Sequence, residues 1–224
     1  LTITSLVLFG GALFAAFPIV YATAFSGFYL AFMLLLFALI FRAVAIEFRS
    51  KKPGAGWRKF WDISFGISSI VAGLLVGVAL GNIIRGIPLD GNGEFAGTFL
   101  GLLNPYSLLV GITTLALFMM HGSIYLAMKT EGALHDKIRH WINKTISIFV
   151  ICYVVTTVAT LLFRPHMVEA LMSSPWLFIL PVLNLLIIAN IPLQISRRKD
   201  FRAFISSSLA ILAMLLLFGI GMYP

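Results

Sequence analysis

Of the 224 residues, 60% are hydrophobic and only 11% are charged, and the mean hydropathy is +1.03. Water-soluble domains carry about a quarter charged residues, so a soluble enzyme or soluble binding module is excluded and the chain reads as an integral membrane protein. The net charge of +8 then becomes a question of where the cations stand.

In chain order, the apolar runs predict about seven helical spans: 1–22, 26–46, 60–84, 105–128, 142–163, 176–196 and 203–222. Each is close to the roughly 20 residues a helix needs to cross a bilayer. None alternates as a strand would, and backbone groups in lipid must be satisfied within their own segment. The expected fold is all-α, a polytopic transmembrane helical bundle that forms one transmembrane domain over 1–224. Pro18, Ser26-Gly27, Pro53-Gly54, Pro88, Asn104-Pro105, Pro165 and Pro175 fall at or near the ends of the spans, as breakers should. Short connections make successive spans antiparallel neighbours. No span has the make-up of a signal peptide, and Leu1 in place of Met leads to the expectation of a further segment ahead of it. Cys152, the single cysteine, lies inside a span, so no internal disulfide framework exists.

The cations alternate strictly from one connection to the next. Arg49, Lys51, Lys52, Arg58 and Lys59 follow span two; Lys129, Lys137, Arg139 and Lys144 follow span four; Arg197, Arg198, Lys199 and Arg202 follow span six. The intervening connections hold only Arg85 and Arg164, a bias of thirteen against two. This is the positive-inside pattern. It places the 47–59, 129–141 and 197–202 connections in the cytoplasm, and the connection with Asp90 and Glu94 on the other side. The basic charge sets orientation, and a nucleic-acid partner is not expected.

A charge at depth in hydrocarbon needs a reason. Arg42, in "LIFRAVAIEFRSK", lies about two turns inside the Arg49–Lys52 cluster. It either snorkels to the headgroups or pairs with Asp62, which opens the next antiparallel span in "WRKFWDISFG". Glu47, five residues past Arg42, is poorly spaced for pairing along its own helix. It is a candidate for taking protons from the cytosol, and its ordinary reading is a solvated interfacial carboxylate. Gly73, Gly77 and Gly81 form a small-residue ridge that predicts close helix contact. Asn82 and Asn104 are candidates for interhelical hydrogen bonds; Asn184 and Asn190 are read either as such bonds or as part of a site, with the bond favoured.

His121, in "LALFMMHGSIYLAMKTEG", stands among apolar residues with Gly122 and Ser123 beside it. A haem axial ligand needs a neutral imidazole, room for the macrocycle and, for six-coordination, a second ligand at similar depth. His135 and His140 fall in a cytoplasmic connection and His166 in an external one, so only Met side chains such as Met119 and Met120 remain at that depth. Those normally fill space, and packing or a polar contact is the reading favoured for His121. The chain has no Walker loop, HExxH, CxxC or GxSxG, and "FSGFY" follows no strand. No metal site is expected.

Several stretches carry a resemblance. "GGALFAAFPIVYATAFSGFYLAFMLLLFALIFRAVAIEFRSK" resembles the second and third helices of subunit II of cytochrome bd-type quinol oxidase. "WRKFWDISFGISS…GVALGN" resembles the following hairpin arm, and "LLNPYSLLVGITTLALFMMHGSIYLAMKTEGALHDKIR" the next helix with its lysine-threonine-x-glycine ending. The resemblance is specific across residues 10–140, and beyond them it rests on helix count and on "ISRRKDFRAF…SS…GMYP". Family members have nine helices, in two four-helix bundles plus a peripheral one, which the seven here fit with one helix ahead of Leu1 and one beyond Pro224.

The resemblance implies a role. Subunit II binds no haem or metal. Haems b and d and the quinol site belong to subunit I, its partner in a pseudo-symmetric heterodimer of the bacterial or archaeal cytoplasmic membrane. The complex oxidises quinol and reduces oxygen to water with protons from the cytoplasm. Small single-span accessory subunits and a structural quinone or lipid are compatible with it. Glu47 occupies the place of an acidic residue that the family associates with proton intake, and Arg42 and Asp62 match charged positions of the same region. Two features depart from the family. Its tryptophan-aspartate-x-asparagine-x-valine-tryptophan approach is replaced by "LTITSLVL", and its first-helix glycine-phenylalanine-aspartate has no counterpart. Two rival readings are a small proton-coupled secondary transporter using Arg42, Asp62 and Glu47, and a membrane cytochrome using His121. A transporter often shows inverted repeats with interrupted helices, and none is detected.

Overall fold

The structure is a computed structural model that describes residues 2–91, 95–173 and 175–222. Leu1, Glu94, Tyr223 and Pro224, all part of the sequence reading, lie outside the described residues. Among the described residues ten α-helices follow in order: α1 (Thr2–Ala16), α2 (Pro18–Gly27), α3 (Tyr29–Phe48), α4 (Ala55–Arg85), α5 (Phe99–Leu102), α6 (Pro105–Lys129), α7 (Gly132–Phe163), α8 (His166–Ser173), α9 (Ile179–Ser196) and α10 (Asp200–Met222). A 3₁₀ turn, Pro175–Phe178, leads into α9. Among the described residues, the only β-type pairing is one antiparallel bridge, Leu89 with Phe95.

Among the described residues six segments are continuous, apolar and long enough to cross a membrane: α3, α4, α6, α7, Trp176–Ser196 and α10. The chain is thus an all-α, multi-pass membrane protein. The first predicted span, 1–22, is instead broken into α1 and α2 at Phe17, whose φ of −138° and ψ of 67° leave the helical region. Pro18 is the cause: its ring disfavours a helical residue before it, and it suits the first position of a new helix. α7 begins ten residues before its predicted start and has 32 residues. At 1.5 Å per residue that is about 48 Å, well beyond the roughly 30 Å of hydrocarbon.

The sequence reading treats 1–224 as one transmembrane domain; the structure groups the chain into two compact units, 1–111 and 112–224. In the first unit, α3 and α4 form an antiparallel pair, and the opening turns of α6 pack on the end of α4. The glycine ridge serves that contact at Gly81, where an added Cβ would stand 2.7 Å from Ser107 Cα. Gly111 answers it from α6, with Val78 Cγ2 2.9 Å and the Leu74 carbonyl 3.1 Å from where its Cβ would lie. Phe95, from the connection after α4, covers Gly27 at the end of α2.

The second unit has its core between α6, α7, α9 and α10. Met120, Ile124, Ile142, Phe149 and Ile191 are completely buried there, together with Ala203 and Ala210. The small residues of α10 let α9 approach it closely, as alanine and serine do in membrane bundles. α8 lies against the far end of α10, with Met167 over Gly221. The α9–α10 corner is tight: Arg198 takes a left-handed φ of 55°, while the amides of Arg198 and Lys199 donate to the carbonyls of Ile195 and Gln194. Those bonds satisfy the terminal carbonyls that a helix end leaves open.

Candidate functional site

At the α3–α4 corner, the charged residues are ordered by depth. Asp62, in the second turn of α4, accepts two hydrogen bonds from Arg49, Nε to Oδ1 at 2.5 Å and Nη2 to Oδ2 at 3.2 Å. The predicted Arg42–Asp62 pair is therefore corrected, since Asp62 is taken by Arg49. Arg42 lies deeper, its guanidinium carbon 5.4 Å from the centroid of the Phe65 ring, one turn further along α4. The physical reason is the register of α3 against α4. Arg42 stands level with Phe65 and Arg49 level with Asp62, and Arg49 and Asp62 each keep 52% of their side-chain surface accessible, so their pair forms with little loss of water. The Asp62 hydrogen bond, and then its charge, hold the Arg49 guanidinium above its ordinary pKa. As an exposed pair, Arg49–Asp62 belongs to the weak class of surface salt bridges.

Glu47 is 67% accessible and pairs with Lys51, Oε1 to Nζ at 3.1 Å, one turn on. An aromatic cluster seals the corner beneath it. Trp57 donates its indole N–H to the Phe48 carbonyl at 2.8 Å, and Lys52 lies 4.9 Å from the Trp57 ring centroid. Trp61 packs between Phe48 and Trp57. Trp and Lys of this kind anchor a helical hairpin at the membrane–water interface.

At the opposite end of the same unit, Asn82 and Asn104 come together. Asn82 is buried; its amide donates to the Val78 and Leu102 carbonyls at 2.8 and 2.7 Å. Its carbonyl oxygen accepts from Asn104 Nδ2 at 3.1 Å. Asn104 in turn caps α6, its Oδ1 accepting from the Ser107 backbone amide at 3.0 Å. Buried amides require such partners, and the knot joins α4, α5 and α6.

In the second unit, His121 Nδ1 lies 2.9 Å from Ser207 Oγ on α10. Ser207 already donates its one proton to the Phe204 carbonyl at 2.8 Å, so its oxygen accepts and the proton sits on Nδ1. The imidazole stacks on Phe204 at 5.0 Å between centroids. Its surroundings are those of a packed, hydrogen-bonded side chain. A second imidazole at that depth, which a six-coordinate haem would need, is not among the described residues: His135 stands at the α6–α7 corner, His140 near the start of α7 and His166 at the start of α8. Asn190 donates to Ser206 Oγ at 2.9 Å, and Asn184 to Tyr153 Oη at 2.9 Å. Two hydroxyl pairs, Thr113–Thr156 and Ser123–Thr145, join α6 to α7. Among the described residues no three His, Cys, Asp or Glu side chains gather as a metal site would require.

The chain matches the family described as cytochrome bd terminal oxidase subunit II along residues 1–224. It belongs to that family. It is 33% identical to cytochrome bd-I ubiquinol oxidase subunit 2 of Escherichia coli K12 over 96% of its own length, and spans 65% of that relative. Cytochrome bd ubiquinol oxidase subunit 2 of Bacillus subtilis is 36% identical over 62% of the chain and 41% of that protein. A probable cytochrome oxidase subunit 2 of Haemophilus influenzae is 44% identical over 58% and 35% of the respective lengths.

One charged centre of this subunit II chain escaped the sequence reading. Arg139, near the start of α7, donates to Asp200 Oδ1 at 2.8 Å and also to the Ile195 carbonyl at the end of α9. His135 stands beside them, Nε2 3.8 Å from Asp200 Oδ2, and donates from Nδ1 to the Ala127 carbonyl of α6 at 3.0 Å. Four helix ends meet there. The signal was present: Asp200 is the lone carboxylate among Arg197, Arg198, Lys199 and Arg202, at a helix N-terminus where a negative charge is favoured.

Proposed function

We propose that the chain is the haem-free scaffold subunit of a bd-type oxidase that oxidises quinol and reduces oxygen to water. The match to the subunit II family along 1–224 carries the reading, and the relatives' names as ubiquinol oxidase subunits support quinol as electron donor. Haems b and d, held by subunit I, would supply the redox chemistry. This chain's part is to hold that partner in the membrane. The apolar side chains of α3, among them Leu34, Leu36, Phe37, Ile40 and Phe41, are exposed within the chain, which suits burial against lipid or a second subunit. Small single-span subunits are compatible companions. The decisive experiment is affinity purification of the tagged chain from mild detergent. A haem-bearing subunit should accompany it with the absorbance of haems b and d, and the isolated chain should show no Soret band. Stoichiometric haem on the chain alone would sink the proposal.

The thirteen-to-two loop bias supports a location in the bacterial or archaeal cytoplasmic membrane with the 47–59, 129–141 and 197–202 connections in the cytoplasm. On that orientation Glu47 is a proton-collecting carboxylate, and its accessibility and its exposed pairing with Lys51 suit a group that exchanges protons with bulk water. Glu47→Gln should slow oxygen reduction several-fold, most at high pH where protons are scarce, with haem content unchanged. Turnover equal to wild type across the pH range would reduce Glu47 to a surface carboxylate.

For His121 the proposed role is structural. His121→Gln retains an amide donor toward Ser207 and should keep every haem band of the complex. His121→Leu removes one hydrogen bond and should cost about 1–2 kcal/mol of stability. Selective loss of one haem band in the glutamine variant would instead make His121 a ligand.

A further inference from the structure

Gly122 differs from the glycines that serve helix packing. A Cβ at Gly81 or Gly111 would collide with a neighbouring helix, whereas a Cβ at Gly122 would meet nothing within 4 Å. At Gly122 the missing side chain leaves space that no helix among the described residues fills. That space is a shallow groove of about 510 Å³ along α6 and α7, open along one side. Phe118, Met119 and Leu126 form its α6 wall, and Ile138 and Trp141 its α7 wall.

The groove is largely apolar, with the Ser123–Thr145 hydroxyl pair beside Gly122, and cationic at the end where α7 begins. Lys137 lines it there; Lys144, next to the lining residue Thr145 and itself outside the lining, holds its ammonium 5.7 Å from the ring centroid of Trp141 at the groove's edge. Among the described residues neither lysine has a carboxylate within ion-pair distance. Asp136 adjoins Lys137 in sequence, but lies about 100° away around the helix and is not part of the lining. Along α6 the lining runs from Phe118 to Leu126, about 12 Å at 1.5 Å per residue. That is close to the roughly 15 Å of one leaflet's hydrocarbon.

We infer that this groove binds one acidic glycerophospholipid, an acyl chain lying along the Gly122 notch and the phosphate between Lys137 and Lys144. Both ends of the groove argue for such an occupant. A neutral isoprenoid would satisfy the apolar walls and leave the two ammonium groups without a counter-charge. A soluble anion would satisfy the lysines and leave the apolar walls empty. The aromatic ring between the lysines is the interfacial type of side chain that stands at headgroup level.

The test uses the full chain with the subunits that accompany it, delipidated in mild detergent and followed by native mass spectrometry. Dioleoylphosphatidylglycerol and dioleoylphosphatidylcholine are titrated in parallel. One phosphatidylglycerol should bind ahead of phosphatidylcholine. Lys137→Gln should weaken it roughly fivefold, since each basic residue near an acidic headgroup contributes about one such factor. Gly122→Leu should abolish the tight site by filling the notch. Lys137 is exposed, so its variant keeps the test decisive even if Gly122→Leu fails to fold. Equal binding of the two lipids, or a preference that survives the lysine substitution, overturns the proposal, as does retention of a quinone in the groove in place of lipid.

Discussion

Asp200→Ala is expected to lower the stability of the second unit by about 2–4 kcal/mol, near the lower part of the range for breaking a buried pair. The carboxylate and the Arg139 guanidinium keep only 16% and 19% of their side-chain surface accessible, so water replaces the lost partner poorly. Arg139 would retain its bond to the Ile195 carbonyl, and for that reason the top of the range is not reached. The thermal midpoint of the purified protein should fall by roughly 5–15 °C, at about 2–4 °C per kcal/mol for a chain of this size. Asp200→Asn keeps an oxygen for Arg139 and should fall by less. The double variant Asp200→Ala with Arg139→Leu should recover part of the loss, because it removes the orphaned cation along with its partner. An Asp200→Ala protein that melts within 2 °C of wild type would place this cluster among ordinary surface pairs.

That cluster also marks the boundary of what the sequence made legible. Spans two to seven follow from local apolar length and from prolines at their ends, and the structure has them as continuous segments. Residues that must find partners were legible too, since Asn82, Asn104 and His121 are polar groups within or beside apolar runs. The identity of a partner was less so. It depends on how two helices are rotated and how far one slides along the other, which neither composition nor hydropathy encodes. At the α3–α4 corner, Arg42 lies level with Phe65. Asp62 is thereby one turn closer to the surface than a simple fold-back predicts, and within reach of Arg49. The early start of α7 was hidden for a related reason. Gly132–Trp141 is too polar to register as a span, yet it is helical because its residues bridge to α6 and α10 through His135 and Arg139.

Gly81 is the position where the smallest change should do the most damage. An alanine there would bring its Cβ to 2.7 Å from Ser107 Cα and 3.1 Å from Ser107 Cβ. The obstruction is backbone, so no rotamer relieves it, and α4 must move away from the first turn of α6. Overpacking of this kind costs about 1–3 kcal/mol and occasionally more. The movement would also strain the knot next door, where Asn82 holds Leu102 at 2.7 Å and Asn104 at 3.1 Å. A buried amide left without its partners adds about 1–3 kcal/mol. Gly81→Ala is therefore expected to cost about 3 kcal/mol or more, read as loss of assembled protein in the membrane and a lower melting point. Gly66, on the same helix, has nothing within 4 Å of its added Cβ. Gly66→Ala should be neutral or stabilising by up to about 1 kcal/mol, the helix-propensity difference between the two residues. Both variants add the same methyl group to the same α4 helix, so the contrast isolates the contact with Ser107. If the two prove equally stable, close approach at Gly81 does not hold α4 and α6 together.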